Sequence, residues 1–332
     1  MKLIHIQNHT TLPKYKQIVL SIEMAIADDR LKRNDKLPSV NKISLEFGIS
    51  RDTALLAFEE LKKRGIVYAI PGKGYYVKSV EFSFEQRLFV LFDELNAFKE
   101  ALYNSFLNAV DNRAQIDIYF HHFNLEMFKK LINESNGNYS KYIIMPSNLQ
   151  GTTPFIKSLP KQDVYILDQT NPELNEYPSI HQNFALDIYN ALLKGTSLLK
   201  KHQQLILIYP GQKEPYGMVE GFRRYCNEYN FNHHIINDFT QQTIELGSVF
   251  IIPNDEHLVN VIEQAKRQQL RLGTDFGIIS YNDTSLKKVV ENGITTISTD
   301  FKAMGATLAD MVLTAKKEQL ENPSQLIVRN SL

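Results

Sequence analysis

Between residues 87 and 283, short runs of consecutive apolar residues recur, separated by stretches with helical spacing. Residues 87–92, 115–120, 142–145, 164–167, 205–209, 233–236, 249–252 and 277–281 read as strands. Helical segments fall at about 97–112, 125–135, 184–201, 216–230 and 255–270. A strand that is apolar at every position has no face to offer water. It belongs in a parallel sheet covered by helices on both sides. Two such runs fill about 245 residues, so the body is expected to form two α/β lobes. At 332 residues the chain is too long for one small domain, and 43% hydrophobic with 22% charged residues excludes a disordered or fibrous chain.

Sheets of this kind bind ligands beyond the carboxyl ends of their strands. The side chains predicted there, with their neighbours, are Asp93, Asn96, Ser147, Asp168, Tyr216, Asn254, Asp255 and Asn282. Carboxylates and amides beside aromatic rings suit a polyhydroxylated molecule, whereas a phosphate would ask for cations. The chain has no Trp, so stacking on a ligand falls to Phe or Tyr, such as Phe92, Tyr209, Tyr216 or Tyr281. Asn254-Asp255 equally suits the cap of a helix starting at Glu256, and Asp93 and Asp168 suit loop caps. His121-His122 and His233-His234 would point to opposite faces of a strand, so neither pair chelates a metal. Cys226 is the single cysteine, which leaves no disulfide and no thiolate cluster.

The first eighty residues differ in kind. They hold 14 basic and 8 acidic side chains against 23 and 29 in the rest, although the whole chain is neutral. A basic quarter on an acidic body suggests a polyanionic partner for the former. A helix is predicted over 14–29, with Ile18, Ile22, Ala25 and Ile26 at helical spacing. Pro38 sets an extended approach to an N-cap at Ser39, and Val40, Ile43 and Phe47 share one face of a short helix that Gly48 ends. Ser50 caps the next helix, about 51–64, with Ala54, Phe58 and Leu61 inward and Gly65 as its stop. Two short helices around a Gly-containing turn make a helix-turn-helix. Two short strands around Pro71-Gly72-Lys73-Gly74 then form a hairpin, which completes a winged helix.

Leu-Pro-Ser at 37–39, Phe-Gly-Ile-Ser-Arg-Asp-Thr-Ala at 47–54, Leu-Lys-Lys-Arg-Gly at 61–65 and Pro-Gly-Lys-Gly-Tyr-Tyr-Val at 71–77 together resemble the GntR-family DNA-binding domain, over roughly residues 10–80. The resemblance implies that the start of the second helix contacts DNA and that the wing tip enters the minor groove. By position it implicates Ser39, Asn41, Ser50, Arg51, Thr53, Gly72 and Lys73. Asn41 and Leu55 stand where many relatives carry Arg. A second set, Gln182-Asn183-Phe184, Gly221-Phe222-Arg223-Arg224, Pro253-Asn254-Asp255-Glu256, 275–283 and 294–297, resembles the LacI/GalR effector-binding domain over about 87–325. It implies a fold similar to periplasmic sugar-binding proteins, with two lobes joined by crossovers and a sugar between them. At the position implied to hydrogen-bond the sugar stands Asn282, a neutral amide in place of a carboxylate, and Met218 stands where an Arg is usual.

The expected organisation is a winged helix over 1–78, a linker over 79–86 and a two-lobed effector-binding and dimerising body over 87–332. This order resembles the arabinose-repressor type of GntR protein. It implies a homodimer on double-stranded operator DNA, since two reading heads must reach sites about one helical turn, roughly 34 Å, apart. The implied effector is a monosaccharide or derivative; the alternative is a body that mainly oligomerises or senses another small molecule. No phosphate loop, nucleophile elbow, zinc-protease motif or dinucleotide fingerprint occurs, so neither catalysis nor a cofactor is expected. The N-terminal residues turn polar too early for a signal peptide, and no run nears the roughly 18 apolar residues of a membrane span, so a cytoplasmic location without a membrane partner is expected.

Overall fold

The computed structural model describes residues 3–6, 13–80, 86–211, 213–240 and 242–332. The centre of the linker read at 79–86, residues 81–85, lies outside them.

The first unit comprises α1 (Lys14–Ala27), α2 (Val40–Phe47), α3 (Arg51–Lys63) and the antiparallel pair β1 (Val67–Ile70) and β2 (Gly74–Val77). The local signals act as read. Ser39 Oγ accepts from the Lys42 amide at 3.2 Å, and Ser50 Oγ from the Thr53 amide at 3.0 Å. Gly48 takes the left-handed conformation, φ 62°, that ends α2 and turns the chain into α3. Ile18, Ile22, Ile43, Ala54, Phe58 and Leu61 close the core, with the Phe58 ring stacked on Tyr75 at 4.3 Å between centroids. Inside it, the buried Glu23 meets Arg64 at 2.5 Å.

The first lobe contains β3 (Gln86–Phe92), α4 (Ala97–Val110), β4 (Ala114–Phe120), α5 (Leu125–Ser135), β5 (Lys141–Ile144), α6 (Thr153–Lys157), β6 (Val164–Asp168) and β7 (Ser179–His181). The chain then crosses to the second lobe. There it forms α7 (Phe184–Lys194), α8 (Thr196–Leu199), β8 (Gln204–Ile208), α9 (Gly217–Glu228), β9 (Asn232–Ile236), β10 (Ser248–Ile252), α10 (Asp255–Arg267), β11 (Gly277–Tyr281) and β12 (Thr295–Thr299). It returns to the first lobe for α11 (Phe301–Leu313) and β13 (Gln319–Glu321), then re-enters the second for β14 (Ser324–Ile327). The sheet orders are β13-β7-β6-β5-β3-β4 and β14-β12-β11-β10-β8-β9, and every pair is parallel except β12 with β14.

Period-two geometry explains the apolar runs. In β3, Leu88, Val90 and Phe92 enter one core layer, beneath α4 and α11, while Phe89 and Leu91 enter the other, beneath α5. The helix read over 184–201 is two helices, α7 and α8, broken at Gly195. There Thr196 Oγ1 turns back onto the Leu193 carbonyl at 2.7 Å, and a β-carbon on Gly195 would lie 3.1 Å from Leu326. α6, α11, β7, β12, β13 and β14 were not read as elements from sequence. All but α11 are five residues or fewer, too short to show a period. Among the described residues no helix is long and apolar enough to cross a membrane.

Candidate functional sites

The first candidate is the exposed side of the helix-turn-helix and its wing. Ser39, Asn41, Ser50, Arg51, Gly72 and Lys73 are exposed and Thr53 is half-buried. Ser39 and Ser50 cap α2 and α3, and Thr53 Oγ1 shares a 2.7 Å hydrogen bond with Ser50 Oγ. The first turn of α3, with the Thr53 amide capped by Ser50, thus lies at the surface with Arg51 exposed in it, an arrangement suited to phosphate. Gly72 holds φ 76° at the hairpin tip, a backbone that carries Lys73 outward without a β-carbon penalty.

The second candidate is a cleft of ≈ 700 Å³ between the lobes. Ser147–Gln150 and Gln169–Pro172 of the first lobe, the crossover 181–185, and Pro215–Gly217 with Glu220 of the second line it. Among the described residues lining it there is no Lys or Arg, and amides predominate: Asn148, Gln150, Gln169, Asn171, Gln182 and Asn183. Tyr216, 55% exposed, and Phe184 supply aromatic surface. Burial pushes the His181 imidazole below its ordinary value, so the ring is neutral at pH 7, with the Glu321 carboxylate opposing that shift.

Beneath the cleft's Ser147 lies a charged cluster. The buried Lys99 ammonium contacts Asp93 Oδ1, and Ser147 Oγ donates to Asp93 Oδ2 at 2.5 Å. Asp168 is buried at the end of β6 and accepts from Gln182 Nε2 at 2.6 Å. Burial holds the Asp168 carboxyl above the usual carboxylate range, the Lys99 charge opposes this, and Asp93 adds to it. The lobes also touch across the cleft mouth. Lys213 Nζ meets Glu94 Oε2 at 2.6 Å and sits 4.8 Å from the centre of the Phe123 ring, while Asn148 Nδ2 donates to the Glu214 carbonyl at 3.3 Å.

The eight residues read from strand ends are thus dispersed. Ser147 and Tyr216 are on the cleft wall, with Asp168 behind Gln182. Asp93 lies under Ser147, and Asn96 caps α4 by accepting from the Lys99 amide at 3.1 Å. Asn254 caps α10, accepting from the His257 amide at 2.9 Å. Asp255 pairs with Lys287 at 2.8 Å, and that buried ammonium also donates to the Tyr281 and Asn282 carbonyls. Asn282 follows β11 with φ 59°. Of the rings proposed for stacking, Phe92 and Tyr281 are in the core, 1% and 3% exposed, and cannot face a ligand here. Met218 is likewise in the core of the second lobe. Gln150, Asn171, His181 and Glu220 were missed, since only Gln182-Asn183-Phe184 had pointed to the crossover. Among the described residues no group of three His, Cys, Asp or Glu is arranged to hold a metal.

Residues 14–77 match the model of the bacterial regulatory proteins of the gntR family, and residues 198–332 that of the periplasmic binding protein-like domain. The arabinose metabolism transcriptional repressor of Geobacillus stearothermophilus is 23% identical over 97% of this chain and 98% of its own. The mannosyl-D-glycerate transport/metabolism system repressor of Escherichia coli is 37% identical, but over 25% of this chain and 34% of its own length. Among solved structures, the Lac repressor bound to ONPG superposes with TM-score 0.63 at 18% identity, over 85% of this chain and 90% of that one. A LacI-family regulator of Arthrobacter in complex with lactose gives TM-score 0.60 at 13% identity, over 74% and 99%. The chain therefore joins a winged helix that matches the gntR family over residues 14–77 to a two-lobed body that matches the periplasmic binding protein-like domain over 198–332 and has the fold of the Lac repressor.

Proposed function

We propose that this protein is a homodimeric transcription repressor of carbohydrate-use genes, released from or fixed on its operator by a neutral sugar bound between the lobes. The observation that carries the sugar is the cleft itself: amide-rich, flanked by Tyr216 and Phe184, and without a cation among its described lining residues. Planar amides supply donors and acceptors to hydroxyl groups without the desolvation cost of an unpaired charge. Sugar acids and sugar phosphates would find no counter-ion there. The relatives that match are transcription regulators, which supports binding without turnover.

A thermal-shift screen of pentoses, hexoses, sugar acids and sugar phosphates tests the ligand. A neutral sugar at about 100 times its dissociation constant should stabilise the body by about 2.7 kcal/mol and be recovered unchanged. Stabilisation by anionic sugars alone would contradict the reading of the cleft. No stabilisation at all would favour a body that mainly oligomerises or senses another molecule.

The second lobe offers a surface for the dimer. Leu286 and Val289, 72% and 70% exposed, lie on a segment held against α10 by Lys287–Asp255 and Lys266–Glu291, and α10 itself exposes Val259 at 52%. Such clustered apolar exposure marks an interaction site. Light scattering should give a dimer for the parent chain and a monomer for Leu286→Glu/Val289→Glu; an unchanged mass would place the interface elsewhere. In the winged helix, Arg51→Ala should weaken operator binding by about 1–3 kcal/mol if the guanidinium reads a base edge. Unchanged affinity in the folded variant would remove Arg51 from the interface.

A further inference from the structure

α3 divides its surface between core and solvent. Ala54, Ala57, Phe58 and Leu61 are buried, while Arg51, Asp52, Leu55, Leu56, Glu59, Lys62 and Lys63 are exposed. The middle of the exposed side is therefore two leucines, 37% and 51% exposed, between the carboxylates of Asp52 and Glu59. Such a strip cannot follow a phosphate backbone, which attracts cations and repels carboxylates. Cations stand at the two ends of the helix, Arg51 at one and the last-turn Lys62 and Lys63 at the other, and the same unit exposes Lys42 on α2 and Lys73 at the wing tip. Basic helix ends with two leucines between them suit a major groove, whose walls are phosphate and whose floor carries one apolar group, the thymine 5-methyl, while Asp52 and Glu59 keep the leucine strip itself off the phosphates.

We propose that Leu55, one helical turn beyond Arg51, reads a thymine in each half-site by packing on its 5-methyl group. The inference rests on the reading of this unit as an operator-binding head. It specifies one operator position by apolar contact rather than by a hydrogen bond. Leu56 is one residue further around the helix and extends the same apolar surface.

The test uses the full-length protein and a duplex selected by it from a random-sequence pool. Each thymine of the half-site is replaced in turn by deoxyuridine, which removes the methyl group and leaves base pairing intact. Replacing the contacted thymine in one half-site should weaken binding by about fourfold, the worth of one buried methyl group, and replacing it in both by about fifteenfold. Leu55→Ala should bind the thymine and deoxyuridine duplexes equally, while Arg51→Ala should keep the difference, so that the double-mutant cycle places the methyl contact on Leu55. If no deoxyuridine substitution changes the affinity, or if the penalty persists in folded Leu55→Ala, the proposal is wrong although the head still binds DNA. If no duplex is selected at all, the operator-binding reading falls and the proposal with it.

Discussion

Lys99→Met is expected to cost about 3–5 kcal/mol of stability at pH 8, read from denaturant unfolding. Lys99 Nζ is the cation that touches Asp93, both side chains are less than a tenth exposed, and Asp168 lies in the same field. Without the ammonium the Asp93 carboxylate keeps the Ser147 hydroxyl and the Glu94 amide as donors but no opposite charge. The deficit should depend on pH. Burial already raises the Asp168 carboxyl in the folded chain, and loss of Lys99 removes the charge opposing that shift. A group whose folded-state proton affinity is raised binds more protons folded than unfolded, so its contribution to stability falls as pH rises. The variant should therefore approach the parent near pH 4, where unfolded carboxyl groups also take up protons, and fall away above it. Lys99→Met/Asp93→Asn should recover most of the loss. A single variant as stable as the parent at pH 8 would show that the pair contributes nothing.

Gly305→Val is expected to lower the melting midpoint by about 10 °C, from about 3 kcal/mol of overpacking. α11 lies so close to α4 at this point that a β-carbon on Gly305 would overlap the Leu102 carbonyl oxygen and come within 2.9 Å of the Phe106 amide nitrogen. Backbone atoms, unlike the end of a flexible side chain, have no rotamer into which to withdraw. The second lobe has a counterpart at Gly221, where α9 meets α7 and a β-carbon would lie 2.5 Å from Ile188 Cγ2 and overlap the Ala185 carbonyl oxygen. Each lobe thus depends on a glycine where two helices meet, next to a chain crossover. Circular dichroism melting of Gly305→Val and Gly221→Val checks both; a midpoint within 2 or 3 °C of the parent would show that the helices move apart at little cost.

The winged helix was legible almost residue by residue because its signals act over three or four positions. Ser39, Gly48 and Ser50 cap or stop helices through bonds to their own neighbours, and the Pro71–Gly74 turn needs only its own backbone. The strands of the body were equally legible, since burial on both faces leaves an unbroken apolar run. The overreach of the helix past Gly195 has the opposite origin: residues 196–199 are helical, and the interruption depends on Thr196 and on the packing of Leu326 from β14, far along the chain.

The cleft was legible only in its chemistry. Asp, Asn and Gln at strand ends pointed to a polar ligand, yet strand-end position does not say which side chains remain free. Asn96 and Asn254 are spent as helix caps, Asp93 on Lys99 and Asp255 on Lys287. Phe92 and Tyr281 turned inward because the final residue of a strand still follows its alternation.

What the sequence alone determined is therefore whatever is encoded within a turn or a strand: the caps, the hairpin, the parallel strands, the order of a reading head before a two-lobed body. The tertiary structure decided which polar groups face the cleft, which are neutralised beneath it, and that α11 returns to the first lobe to pack Phe301 against Phe98 of α4. Those outcomes depend on pairs of residues up to about two hundred positions apart, and such pairs interact only once the chain has crossed between the lobes.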